Sequence, residues 1–249
     1  MKSNIKRIIF VVLICIFLFS IFQICTYFVE LNRNQKTHQK VIQEVVKIEK
    51  VTDEENGEVS EKLTINYDSL LNINSDSKGW IRFNQDKIHY PIVQSVDNRY
   101  YLNHDIYKNS SSLGAIFMDY RNQSFQDKNV VIFGHNVSPG EAMFGSLKDV
   151  LNNHFFDQEE NRMIEIMDLN NHSYFYEIFS VYTISVEEYY ITTNFNNNEE
   201  YIEFLNTIKE RSIRDFDIDL STSDHILTLS TCDGYSSTNK RLVVHARLK

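Results

Sequence analysis

Cysteine is scarce in this 249-residue sequence, and the three that occur are unevenly placed. Cys15 and Cys25 lie within a long apolar run, so Cys232 is the one thiol in the remainder of the chain. An intramolecular disulfide outside that run is therefore excluded. So is a cysteine-rich structural zinc site, and the eight histidines show no ligand spacing, so neither a metal nor a cofactor is expected. Positive charge is also in deficit. The formal net charge is −9, and because Lys2, Lys6 and Arg7 are the only charges at the extreme N-terminus, everything after Arg7 carries −12. A surface that acidic repels phosphate backbones, which excludes nucleic acid as a partner. Internal repeats are absent, and the nearest approach to low complexity is the Asn-rich stretch 194–198. What the chain does have is apolar mass. It is 42% hydrophobic with seventeen Phe and fourteen Tyr, enough for one sizeable core plus an appendage.

The appendage is N-terminal. Ile8 to Val29 is almost unbroken apolar sequence, interrupted only by Ser20, Gln23 and Thr26, and a bilayer-crossing helix needs about 20 such residues. Tyr27, Phe28, Val29 and Glu30 offer no small-residue cleavage site, so the run reads as a permanent anchor rather than a removed signal peptide. Lys2, Lys6 and Arg7 favour an N-terminus inside and a C-terminal domain outside, against which Arg33, Lys36 and Lys40 weigh. The expected organisation is residues 1–7 cytoplasmic, 8–29 transmembrane, 30–62 a stalk helix followed by an acidic linker over Thr52 to Lys62, and 63–249 the main domain.

That domain reads as mainly β. Short runs with strand patterning occur at Trp80 to Phe83, Ile88 to Gln94, Ala115 to Asp119, Asn129 to Phe133, Met163 to Asp168, Ser173 to Thr183, His225 to Thr231 and Arg241 to Leu248. In the sixth of these, Tyr174, Tyr176 and Ile178 alternate with Phe175, Phe179 and Val181, as in a strand covered on both sides. Such spacing predicts a barrel or sandwich. Helical spacing appears twice, at Glu141 to Leu151 and at Glu199 to Arg211, the second with Tyr201, Ile202, Leu205 and Ile208 on one stripe.

The chemistry concentrates between His225 and Arg241. A β-like run ends at Cys232, a polar loop follows, and Arg241 opens a second run. Antiparallel pairing of the two would set Cys232 opposite Arg241, where a guanidinium could stabilise the oxyanion formed when a thiolate attacks a carbonyl. A leaving amine also needs a proton, and histidine is the side chain suited to supply one near neutrality. Of the eight, His135 is the candidate, because it follows the strand Val130 to Phe133 and Gly134 at a strand-to-loop edge. Taken alone, each residue also fits a structural role: a buried inert thiol, a packing histidine.

Several segments together resemble a known family. Thr228, Leu229, Ser230, Thr231, Cys232 with Arg241 nine positions on, and Phe133, Gly134, His135, Asn136, look like the active-site motifs of class B sortases. Gly79 to Ile81, Tyr90 to Gln94, Asp97 to Leu102 and Phe117 to Asn122 agree, so the resemblance runs from about Leu63 to the C-terminus. It implies a sortase β-barrel of about eight strands, with N-terminal helices and a helix inserted before the Cys-bearing strand. It also implies a cysteine transpeptidase in which Cys232, His135 and Arg241 are catalytic. The thiol would attack a sorting signal of a secreted protein at Thr, more in the Asn-Pro-x-Thr than the Leu-Pro style, and a peptidoglycan precursor amine would resolve the thioester. Asn98, Leu102, Tyr190 and Ile191 match substrate-lining positions, and Ser230, two residues before Cys232, is placed to border the groove. No calcium site is implied. A thiol peptidase that passes its acyl group to water, or a membrane-tethered module that only binds cell-wall peptide, are the competing functions.

Overall fold

The computed structural model describes residues 2–52, 59–137, 142–232 and 239–249. Helix α1, Lys2–Val45, runs without a break from the apolar segment into the region expected to be stalk. It is the one helix among the described residues long and apolar enough to cross a membrane, and its large apolar side chains through Val29 are mostly exposed. From Glu30 onward the helix touches the rest of the molecule. The Glu30 carboxylate accepts from the Ser112 amide, and Leu31, Val41 and Val45 are buried.

The helix ends earlier than its spacing predicts, and strand residues stand at both ends of the expected linker, of which 53–58 lie outside the described residues. Strands β1 (Val46–Thr52) and β2 (Val59–Ile65) pair antiparallel, with Val46 opposite Ile65 and Ile48 opposite Leu63. β-Branched residues at alternate positions favour this hairpin over continued helix. A short helix follows, α2 (Tyr67–Ile73), whose start is capped by the Asn66 side chain accepting from the Ser69 amide at 3.1 Å.

The barrel strands are β3 (Ser77–Phe83), β4 (Ile88–Val93), β5 (Phe117–Met118), β6 (Asn129–Val137), β8 (Met163–Asp168), β9 (Ser173–Ser185), β10 (Ile226–Cys232) and β11 (Lys240–Leu248), while β7 (Ala142–Met143) hangs from the end of β6. Their order is β10-β11-β9-β8-β3-β4-β5-β6, and β6 pairs back with β10, so the sheet closes into the eight-stranded barrel expected from sequence. Two pairings, β4 with β5 and β6 with β10, are parallel; the others are antiparallel.

Both faces of the wall are covered near the site, which is why β6 reads as continuous apolar sequence. Val130 and Ile132 point into the barrel core, whereas Val131 and Phe133 join a second cluster with Val41, Val45, Leu70, Trp80 and Tyr101 beneath α1 and α2. In β9 the alternation is interrupted at Phe179, where a bulge sets Ala246 against Ile178 and His245 against Ser180. Helix α3 (Asn198–Glu210) precedes β10, as expected. Asn197 caps it by accepting from the Glu200 amide at 2.8 Å, and Tyr201, Leu205 and Ile208 face the barrel.

The helix expected at Glu141 to Leu151 is not α-helical. Met143 has φ 54°, outside the right-handed region, and Gly145–Leu151 forms a 3-10 helix. Phe144, Leu147 and Val150 are fully buried at a spacing of three, matching three residues per turn, while Leu151 is exposed.

Candidate active site

Strand β6 is longer than its sequence pattern suggests, so His135 lies inside it rather than just beyond it. Gly134 had the look of a strand end. A Cβ there would lie 2.4 Å from Ile116 Cδ1 and 2.8 Å from the Phe144 ring, so the glycine lets core side chains close over a continuing strand.

The parallel register of β6 and β10 pairs Ile226 with Asn129 and runs to Cys232 opposite His135, residues 97 positions apart. Neighbouring strands lie about 4.8 Å apart, so the two main chains are adjacent. On the other side of β10, β11 runs antiparallel with Ser230 opposite Val243. Thr231 Oγ1 accepts from the Leu242 amide at 3.0 Å, so the Cys232 end of β10 lies beside the Arg241 end of β11. Arg241 is half-buried and pairs in turn with Ile184 of β9. Two strand pairings thus bring the three predicted residues to the same end of the barrel.

His135 is buried, and its Nε2 is 2.8 Å from the Leu102 carbonyl oxygen. A carbonyl can only accept, so Nε2 carries the proton in the neutral ring. Gly114 backs the imidazole. A Cβ at Gly114 would sit 2.4 Å from the Tyr101 carbonyl, 2.8 Å from that of Leu102 and 3.1 Å from His135 Cδ2, and the residue adopts φ +59°. Only glycine meets both demands without strain.

Beside this end lies a cleft of about 260 Å³ lined by Asn98, Phe117, Phe133, Val186, Glu188, Tyr189, Tyr190, Ile191 and Arg241. Its base is the tilted pair Phe117 and Phe133, with ring centroids 5.2 Å apart. The segment before the short 3-10 helix Tyr100–Leu102 supplies one wall, and the segment between β9 and α3 the other. Of the residues matched by resemblance, Asn98, Tyr190 and Ile191 line the cleft. Leu102 serves through its carbonyl on His135. Ser230 is fully buried, and its hydroxyl lies 2.7 Å from that of Tyr190, so it underlies the wall instead of bordering the open space.

Asp119 and Arg121 have no role legible from sequence, although both stand in a segment that carries the resemblance. Asp119 is fully buried just after β5. Its carboxylate accepts from Asn98 Nδ2 at 2.8 Å and, through both oxygens, from Arg121 Nε and Nη2 at 2.8 and 2.7 Å. Burial pushes this carboxyl up, but the hydrogen bonds from Arg121 and Asn98 outweigh it and hold the group below the usual carboxylate range. A polar turn following a strand was the available signal.

Known proteins share this fold. The profile of the sortase domain matches residues 81–249. Sortase B of Listeria monocytogenes is 34% identical over 249 residues, covering 99% of this chain and 98% of that protein. Among solved structures, sortase B from Bacillus anthracis in complex with AAEK1 superimposes with a TM-score of 0.74 at 37% identity, covering 89% of this chain and 98% of that one. A Staphylococcus aureus sortase B-substrate complex superimposes with a TM-score of 0.67 at 37% identity, covering 74% and 84%.

Proposed function

Because this chain belongs to the sortase family, as a class B cysteine transpeptidase acting on sorting signals of surface proteins, we propose that Cys232, His135 and Arg241 carry its reaction. The observation that supports this most is the register of β6 with β10, which sets Cys232 against His135, together with Arg241 lining the adjoining cleft.

In this reading the Cys232 thiolate attacks the carbonyl of the signal's Thr. The tetrahedral oxyanion is stabilised by the Arg241 guanidinium, and collapse breaks the peptide bond and leaves a thioester. With Nε2–H held by the Leu102 carbonyl, Nδ1 is the nitrogen of His135 that delivers a proton to the departing amine and takes one back from the incoming amine. That incoming amine belongs to a peptidoglycan precursor. One amide is exchanged for another through a thioester, so no nucleotide is needed. Asn98, Tyr190 and Ile191 hold the residues of the signal that precede Thr, for which an Asn-Pro-x-Thr pattern is proposed.

The apolar N-terminal helix is a candidate membrane anchor. We place residues 8–29 in the bilayer as a single pass with the N-terminus inside and residues 63–249 outside, on the charge of Lys2, Lys6 and Arg7.

The test is to incubate the full chain in detergent with Asn-Pro-x-Thr and Leu-Pro-x-Thr peptides, with and without a nucleophilic amine, and to weigh protein and products. A peptide-sized adduct on the wild type, absent from Cys232→Ala, is expected, along with amine-dependent product. Undiminished cleavage by Cys232→Ala would overturn the assignment.

A further inference from the structure

Between β9 and α3 the chain has no regular structure from about Val186 to Asn197, yet this segment supplies five cleft residues and, among the described residues, is tied back by side-chain hydrogen bonds at three places. Tyr190 is held by Ser230 of β10, and the Thr192 carbonyl accepts from Asn129 Nδ2 of β6 at 2.8 Å. The third tie is Arg121, which differs from the others in what stands behind it.

Arg121 Nη2 donates to the Ile191 carbonyl at 2.9 Å and Nη1 to the Tyr189 hydroxyl at 2.8 Å, while the Tyr189 hydroxyl itself reaches the Ile191 carbonyl at 3.3 Å. The adjoining Nε–Nη2 edge of the guanidinium is occupied by Asp119 in a two-point pairing, the geometry that a planar fork makes rigid. Asp119 is itself fastened to the barrel. Its amide donates to the Val131 carbonyl at 2.9 Å, and its carbonyl accepts from Gln94 Nε2 at 2.8 Å. The carboxylate oxygen that receives Arg121 Nη2 also receives Asn98 Nδ2, and Asn98 Oδ1 accepts from the Tyr120 amide at 3.0 Å. Asn98 and Ile191 stand in the two walls of one cleft, and a single chain of hydrogen bonds, Asn98 to Asp119 to Arg121 to Ile191, spans between them.

We propose that Arg121 is a positioning residue for the sorting reaction: seated on Asp119, it fixes the separation of the walls formed by Asn98 and by Tyr189 to Ile191, and thereby sets the affinity of the cleft for the sorting peptide. The inference rests on the reading of this cleft as the peptide groove. Arg121 does not line the cleft and is not adjacent to the strand pairing that carries Cys232 and His135. Its removal therefore loosens one wall while leaving the reacting groups in place.

The experiment is steady-state kinetics of the full chain with whichever Asn-Pro-x-Thr peptide the wild type accepts, for Arg121→Gln, Arg121→Lys and Tyr189→Phe. Alongside it runs hydrogen exchange over residues 186–193 and alkylation of Cys232 by iodoacetamide. For Arg121→Gln the expected result is a KM raised about tenfold, kcat within about threefold, faster exchange confined to 186–193, and an unchanged alkylation rate. Lysine cannot reproduce the fork and is expected to behave like glutamine. Tyr189→Phe removes one exposed hydroxyl with little risk to folding and is expected to raise KM about two- to fivefold, so the inference stays testable if Arg121→Gln does not fold. Wild-type KM in a folded Arg121→Gln, or in Tyr189→Phe if the former is lost, overturns the inference; so does a fall in kcat with KM unchanged. A wild type that forms no acyl-enzyme with any such peptide instead overturns the reading of the groove.

Discussion

His135 Nε2 and the main-chain carbonyl of Leu102 are 2.8 Å apart, which fixes both the orientation of the ring and the nitrogen that bears its proton. Because the acceptor is backbone, replacing the Leu102 side chain leaves the contact standing. Nitrogen-detected NMR of the neutral imidazole is expected to show protonated Nε2. His135→Gln is expected to slow acylation by about 10²- to 10⁴-fold, the usual contribution of a positioned acid-base group. A Gln variant with wild-type acylation would remove His135 from the mechanism.

Gly114 acts on the same ring from behind. Gly114→Ala forces a left-handed backbone on an L-residue, costing about 1–2 kcal/mol before any clash is counted. It also drives a methyl against the Tyr101 and Leu102 carbonyls and His135 Cδ2. The expected outcome is a lower Tm together with an acylation rate that falls more than the folded fraction does, measured at a temperature where the variant remains folded.

Ser230 and Tyr190 share a buried hydroxyl pair at 2.7 Å. A double-mutant cycle of Ser230→Ala and Tyr190→Phe is expected to give a coupling of about 1 kcal/mol in stability, the usual net contribution of one buried hydrogen bond. Additive single effects would mean that the contact contributes nothing.

His245 predicts how stability responds to acid. It is fully buried, with Nε2 2.8 Å from the Tyr182 hydroxyl and Nδ1 2.9 Å from Thr228 Oγ1, which in turn donates to Asn129 Oδ1 at 2.7 Å. Thr228 spends its one proton on Asn129, so Nδ1 carries the proton and Tyr182 donates to Nε2. Both ring nitrogens are thus satisfied in the neutral form, and burial opposes the charged one. Burial, with a smaller contribution from Arg211, lowers its pKa to about 3. Unfolded, the same residue titrates near 6.5, so below that pH the unfolded chain binds the extra proton. The stability His245 contributes is complete above about pH 6.5 and is lost as pH falls toward 3, with a slope approaching about 1.4 kcal/mol per pH unit. Burial lowers His38, stacked on Tyr90 at 4.1 Å, to about 4, which acts in the same direction. Thermal unfolding between pH 7.5 and 4.5 is expected to show this decline, and His245→Leu is expected to flatten it while lowering stability at pH 7.5.

Strands whose alternation lies mostly within themselves are legible to the residue. Met163–Asp168 is one, with Ile164 and Ile166 buried in the barrel core and Met167 the one departure, buried in the second cluster. Legibility failed where a distant partner decides the conformation. Gly134 looked like the end of β6 because nothing nearby in sequence announces Ile116 and Phe144 closing over it. The stripe after Glu141 fitted a 3.6-residue period about as well as the 3.0 it adopts, and the left-handed Met143 that rules out an α-helix has no composition signal. Cys232, His135 and Arg241 are candidates in the sequence because each stands at the edge of an apolar run, and it is the resemblance to class B sortases that singles them out. The bridge through Asp119 and Arg121 could not, since its meaning depends on Tyr189 and Ile191 some seventy positions downstream arriving at the same place.

Helix α1 passes from the proposed membrane span into the folded domain with no flexible joint, and the first contact with the barrel side is made by Glu30, directly after the apolar run ends at Val29. With residues 8–29 in the bilayer as proposed, a catalytic unit mounted this way would keep lateral freedom in the plane of the membrane at a height set by the helix. Its encounters would then be confined to a layer near the membrane surface, and lengthening the mast by inserting flexible residues after Val29 would change what the enzyme can meet without touching its chemistry.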